Sequence, residues 1–166
     1  IQISEQKRDN WARDWQVHMK TKTFDVPLVN KNLDLLGLPT FSKFKTDLNQ
    51  SSPHTQKGGT SSGRDLLSSF LEKRCKGYSK KMSSPSEAAY ACSRLSPHIA
   101  FGTLSMRNIY QDLEKNINNS KYRWDLYSFK KRLYWHCHFI QKLETQPSLQ
   151  HQSMHPDCDF LRPEAD

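Results

Sequence analysis

Apolar residues recur at helical intervals in four stretches of the chain, and polar, proline-bearing segments separate them. Trp11, Trp15 and Met19 fall on one face of a helix predicted over 4–20, with Ser4 as its cap. Leu66, Leu67, Phe70, Leu71 and Cys75 make a second stripe over 64–76, and Gly77 stands just past its end, where a left-handed residue suits the stop. Ser105 is placed to cap a third helix, whose apolar face is Ile109, Leu113 and Ile117 and whose end is the run NINNS. The longest pattern covers 124–143. There Leu126, Phe129, Leu133, Cys137 and Ile140 form a buried stripe, and Arg132, Trp135, His136 and Phe139 occupy a second face. A helix of this kind either has a wide core face with a basic rim or touches something besides its own core.

The connecting segments read differently. Residues 21–62 are mostly irregular, interrupted by Pro27, Pro39 and Pro53, with one brief turn anchored by Phe41 and Phe44. QSSPHTQKGGTSSG is a loop by composition, and Gly59–Gly63 reads as a flexible linker. A second loop, SKKMSSPS, precedes the short apolar stretch EAAYACSRL. Ser96-Pro97 marks the start of a short helix, with Ser96 as N-cap, and Gly102 closes it. After Pro147 the periodicity disappears. No segment alternates as a strand does, so the predicted class is all-α, irregular and helical with long coil-rich segments and no sheet.

Composition sharpens this picture. Only 35% of residues are apolar, against a usual ~45–50%, yet the chain carries four Trp, six Tyr and eight Phe. That combination suits a folded part with polar tails, or a piece of a larger domain. The first ten residues lack both an apolar signal core and an initiator Met, so residue 1 is expected to lie inside a longer, cytoplasmic chain. No apolar run reaches the ~18 residues of a membrane span. The net charge is +8 and favours a polyanionic partner or an anionic cofactor. The four cysteines are widely spaced, which suits reduced thiols better than a disulfide framework. His136, Cys137, His138, His151, His155 and Cys158 are possible zinc ligands but follow no finger spacing, so no metal site is expected.

The chain contains no P-loop, GxGxxG or HExxH pattern. Its informative stretch runs from Tyr78 to Ser105. CSRLSPHIAFGTLS brings Ser93, Arg94 and Ser96 to a helix start, where free N–H groups, two hydroxyls and a guanidinium could hold a phosphate or pyrophosphate. The alternative is an ordinary cap beside a surface arginine.

SRLSPHIAFGTLS, with Tyr78 upstream and RLYWHCHFIQKL downstream, resembles the FAD-binding domain of the DNA photolyase/cryptochrome family over about residues 60–145. Residues 4–45 resemble the connector from that family's antenna domain, so the resemblance implies a long coil-rich N-terminal connector over 1–59 and, over 60–166, the N-terminal part of the helical domain, incomplete at its C-terminal end. The resemblance implies a fragment of a monomeric, blue-light-dependent flavoprotein that carries half an FAD site. Tyr78 would lie near the FAD phosphates. Cys92, Ser93, Arg94, Leu95 and Ser96 would form the pyrophosphate loop, and Phe129, Arg132 and His136 would line the cavity. Trp135, with Arg132, would meet a pyrimidine dimer extruded from DNA. No residue of this chain is expected to be catalytic itself, because the flavin carries the electron-transfer chemistry. The sequence departs from the family pattern at Cys92, where Thr is common, at Phe129, where Trp is common, and at Arg132 and His136, where many photolyases have Glu and Arg. The implied activity is light-driven splitting of pyrimidine dimers. A photoreceptor of the cryptochrome type without repair activity is one alternative. A small basic module that binds nucleic acid through the aromatic and cationic residues of 121–135 is another.

Overall fold

In a computed structural model, the described residues are 10–24 and 55–161. They are helical, with no strand among them, so the all-α class holds. The expected cap at Ser4 and the turn at Phe41 and Phe44 lie outside the described residues.

Helix α1 (Trp11–Lys20) buries Trp15 and Met19. Helix α2 (Thr60–Ser69) runs on into a π-helical turn, Phe70–Arg74, and stops at Gly77, whose φ of 76° is left-handed as the sequence suggested. Three short helices follow: α3 (Tyr78–Lys81), α4 (Ala88–Ala91) and α5 (Ser96–Ala100). Then come α6 (Met106–Ile117) and the long α7 (Arg123–Thr145). Two 3₁₀ turns, Pro147–Gln150 and Pro156–Leu161, end the described chain.

Helices α6 and α7 pack together, and α1 lies across them. Ile109, Tyr110, Leu113, Leu126 and Phe70 are wholly buried at the centre. Trp15 meets Tyr110 edge-to-face at 5.2 Å, and Gln111 Nε2 donates to the carbonyls of Met19 and Thr21 at 3.0 and 2.9 Å. Helix α1 therefore shares the core of the helical unit.

Four expectations need correction. The loop expected over 79–86 begins as helix, because a new turn, α3, starts at Tyr78 directly after the left-handed Gly77. Gly59–Gly63 is not a flexible linker, because α2 begins at Thr60. A Cβ on Gly63 would meet His98 Nδ1 and Leu104 Cγ at 2.9 Å, so the missing side chain lets α2 close onto the 98–104 segment. Ser96 is the first helical residue of α5 rather than its cap, Leu95 precedes it, and no side chain caps this helix. Ile140 is exposed, not buried: the buried stripe of α7 ends at Leu133, with Cys137 packed at the core's edge. The expectation for Ser105 holds, since its hydroxyl accepts from the Asn108 N–H at 3.1 Å.

Candidate functional site

Arg74, at the end of the π-helical turn, organises the site from behind. Its guanidinium donates to the carbonyl of Cys92, to that of Ser93 at 3.2 Å, to that of Leu66 at 2.8 Å and to Ser69 Oγ at 3.1 Å. Burial pulls its pKa down and Arg94 adds to that, partly offset by Cys92 and Cys75, but an arginine stays charged throughout the working pH range. Gln56 Nε2 holds the next carbonyl, that of Arg94, at 2.9 Å. Three successive carbonyls of the 92–94 loop are thus fixed.

Arg94 itself has φ 63°, the one non-glycine residue with positive φ among the described residues. Leu95 follows in the right-handed region at φ −89°, ψ −8°. Such left-to-right alternation turns neighbouring N–H groups toward one point, a geometry that receives anions. Leu95 is buried beneath the loop, while Arg94 and Ser96 stay exposed.

A second tie positions Tyr78. The Asp125 carboxylate, in the first turn of α7, accepts from Gly77 N at 2.8 Å, Ser79 N at 2.9 Å and Ser79 Oγ at 2.7 Å. Burial pushes this carboxyl up, but the hydrogen bonds from Ser79 and Gly77, with Lys80 nearby, outweigh it and hold the pKa below the ordinary value. Tyr78, Phe70 and Phe129 then form a triangle of edge-to-face rings with centroids 4.7 to 5.8 Å apart. Burial, with Cys92 adding and Arg132 opposing, pushes the Tyr78 phenol up to about 12, so it remains a hydrogen-bond donor.

These pieces enclose a cleft of about 470 Å³, within the ordinary ligand-pocket range of roughly 300–1,000 Å³. Tyr78, Cys92, Ser93, Arg94, Leu95, Ser96, Phe129, Arg132 and His136 all line it, joined by Gln56, Pro97, Ile99, Met106 and Leu133. Residues up to 58 positions apart, nominated from two separate motifs, meet in one place. The lining contains two arginines and no acidic residue. Trp135 is not among the lining residues; it is 47% exposed on the adjoining face of α7, with the Arg132 guanidinium 5.1 Å over its ring.

Burial raises the Cys92 thiol pKa despite the opposing Arg94 and Arg74, which keeps the sulfur protonated and a poor nucleophile. Among the described residues no group of three His, Cys, Asp or Glu side chains could hold a metal ion, and no helix is long and apolar enough to cross a membrane. Gly59-Thr60-Ser61-Ser62-Gly63 spells the nucleophile-elbow pattern GxSxG. Here it forms the first turn of α2 with no strand leading into it among the described residues, so the spelling carries no such chemistry.

Arg74 and Asp125, the two residues that hold the cleft's walls, were invisible in the sequence. The Cys92 and Ser93 carbonyls that Arg74 holds lie 18 and 19 positions away, the Gly77 and Ser79 groups that Asp125 holds lie 48 and 46 away, and neither residue belongs to a local pattern. Comparison of the chain with protein-family models, with curated proteins and with solved structures gave no match.

Proposed function

We propose that this chain carries part of the FAD site of a photolyase-like flavoprotein that acts on pyrimidine dimers in DNA. One observation supports it above others: every residue that the family resemblance assigned to the cofactor lines the same acid-free cleft. The donor set suits a diphosphate-bearing aromatic cofactor. Arg94, Ser93, Ser96 and the N–H groups of the fixed loop match the pyrophosphate. Arg132 adds positive charge from the opposite wall. The rings of Phe129 and Tyr78, with Leu95 and Leu133, supply an apolar bed for a flat ring system.

Bound there, reduced FAD would supply light-driven electron transfer to the dimer. The chain's own part is to bind and orient. Arg74 and Gln56 engage the loop carbonyls of Cys92, Ser93 and Arg94, which offsets their negative ends beside an anion, and Asp125 sets Tyr78 against Phe129 so that the bed is formed before a ligand arrives. Trp135 stands beside the cleft, where it would stack on a base extruded from the duplex.

The test is illumination of the protein, purified at the full length its gene encodes, with an oligonucleotide carrying a single dimer. Blue-light-dependent repair with bound flavin upholds the reading. Flavin without repair makes the protein a photoreceptor instead, and the absence of flavin removes both.

A further inference from the structure

The outward face of α7 lies outside the core and, apart from Arg132 at the cleft's edge, outside the cleft. Trp124 and Trp135 are eleven positions apart, which sets them on one stripe of the helix, about 20° apart around the axis and about 16 Å apart along it. Ser128 and Lys131 lie on the same stripe between them, and Lys142 continues it. Trp124 is 71% exposed and Trp135 47%. Each ring carries a guanidinium, Arg123 at 5.2 Å and Arg132 at 5.1 Å. Just before the helix, Lys121 Nζ lies 5.1 Å over Tyr122.

The stripe also lacks negative charge. The two acids of α7 are Asp125 and Glu144. Asp125 is turned toward Gly77 and Ser79, and Glu144 falls on the opposite side of the helix from Trp135. Lys130 is paired with Glu114 at 2.8 Å, but Lys131 and Arg132 form no ion pair among the described residues. Exposed rings alternate with free cations over a span that matches about five stacked nucleotides at 3.4 Å each.

We propose that this stripe binds single-stranded nucleic acid, with bases stacked on Trp124 and Trp135 and phosphates beside Arg123, Lys131 and Arg132. Aromatic faces take any base, and cations between them track the backbone. A duplex hides its base faces, so it meets only the cations. A second copy of the chain would bring the same positive stripe, and an apolar helix would find Lys131 and Ser128 in the middle of its track. The stripe shares Arg132 and Trp135 with the cofactor reading, but it needs no flavin, so a titration without flavin tests it apart from that reading.

The experiment titrates the chain with a twenty-nucleotide oligo-dT in the dark, without added flavin, following tryptophan fluorescence and anisotropy. A duplex of the same length and the variants Trp124→Ala, Trp135→Ala, Lys131→Gln/Arg132→Gln and Lys115→Gln complete the set. Quenching is expected, with tighter binding of oligo-dT than of the duplex. Each Ala variant should bind at least about fivefold more weakly. The double Gln variant should flatten the slope of log affinity against log salt by about 1.4, a readout that does not depend on the tryptophans. Lys115→Gln, on α6, should change nothing. No quenching, equal affinity for duplex, or an equal loss in Lys115→Gln would overturn the proposal. So would a dimer in sedimentation that Trp135→Ala converts to a monomer, since the stripe would then be a protein interface.

Discussion

The Arg74 guanidinium donates to the Cys92 carbonyl across eighteen positions of chain, and with the same fork reaches the carbonyls of Ser93 and Leu66. This one side chain ties the end of the α2 segment to the loop that walls the cleft. Arg74→Lys keeps the charge but not the fork. It should destabilise the protein by about 1–3 kcal/mol, because partly buried carbonyls lose their donors. A lowered urea midpoint with an unchanged m-value, together with faster proteolysis in 92–94, is the expected result. An unchanged midpoint would remove Arg74 from its structural role.

Asp125 gives the fold an acid-sensitive joint. Its folded-state pKa is below the ordinary value, so its contribution is present above the unfolded pKa of about 3.9 and is lost as pH falls through the lowered folded value. Asp125→Asn should cost about 1–3 kcal/mol at pH 7 and should lose less than the parent on going to pH 3. Denaturation curves at the two pH values check this. Parallel losses in both proteins would contradict it.

Ser105 and Ser96 separate by their geometry. Ser105 bonds the Asn108 N–H, and no side chain caps the helix that starts at Ser96. Ser105→Ala should therefore lower stability by about 1 kcal/mol, and Ser96→Ala by less than about 0.5 kcal/mol, as for an ordinary surface change. If FAD retention falls in Ser96→Ala while stability does not, the Ser96 hydroxyl serves the ligand alone.

Gly63→Ala should destabilise although alanine is the better helix former by about 1 kcal/mol. The new methyl would enter the space of His98 and Leu104, both buried. Overpacking of this kind costs about 1–3 kcal/mol. Thermal melting decides the sign, and a raised midpoint would mean that α2 can move off the 98–104 segment freely.

The sequence made the long helices and their faces legible because they are repeated local patterns. The stripes ending at Cys75 and Ile117, and the α7 stripe as far as Leu133, fall where periodicity put them. Ile140 continues the same pattern, but nothing among the described residues covers it, and a repeat alone cannot report where its partner stops. Thr60–Gly63 looked like a linker because its residues are poor helix formers; close packing of Gly63 against Leu104 overrides that preference. The loop side of the cleft was legible as chemistry, from Ser93, Arg94 and Ser96; the 129–136 side was expected only from the family resemblance, and the shape was not legible. That shape depends on the hydrogen bonds of Arg74 and Asp125 and on the left-handed backbone at Arg94, which arise from contacts distant in sequence.

Arg94 offers the most direct measurement of the central claim, that the 92–96 loop holds the FAD pyrophosphate. Its φ of 63° strains any residue with a side chain, by about 1–2 kcal/mol, so Arg94→Gly removes the guanidinium while relieving the backbone. The measurement is the visible absorption and FAD content of the protein purified at the full length its gene encodes, for parent and variant, beside their thermal melting. Bound flavin in the parent, most of it lost in Arg94→Gly with no fall in melting temperature, is the result expected. A parent that neither carries nor takes up FAD, or a variant that keeps all of it, would contradict the account.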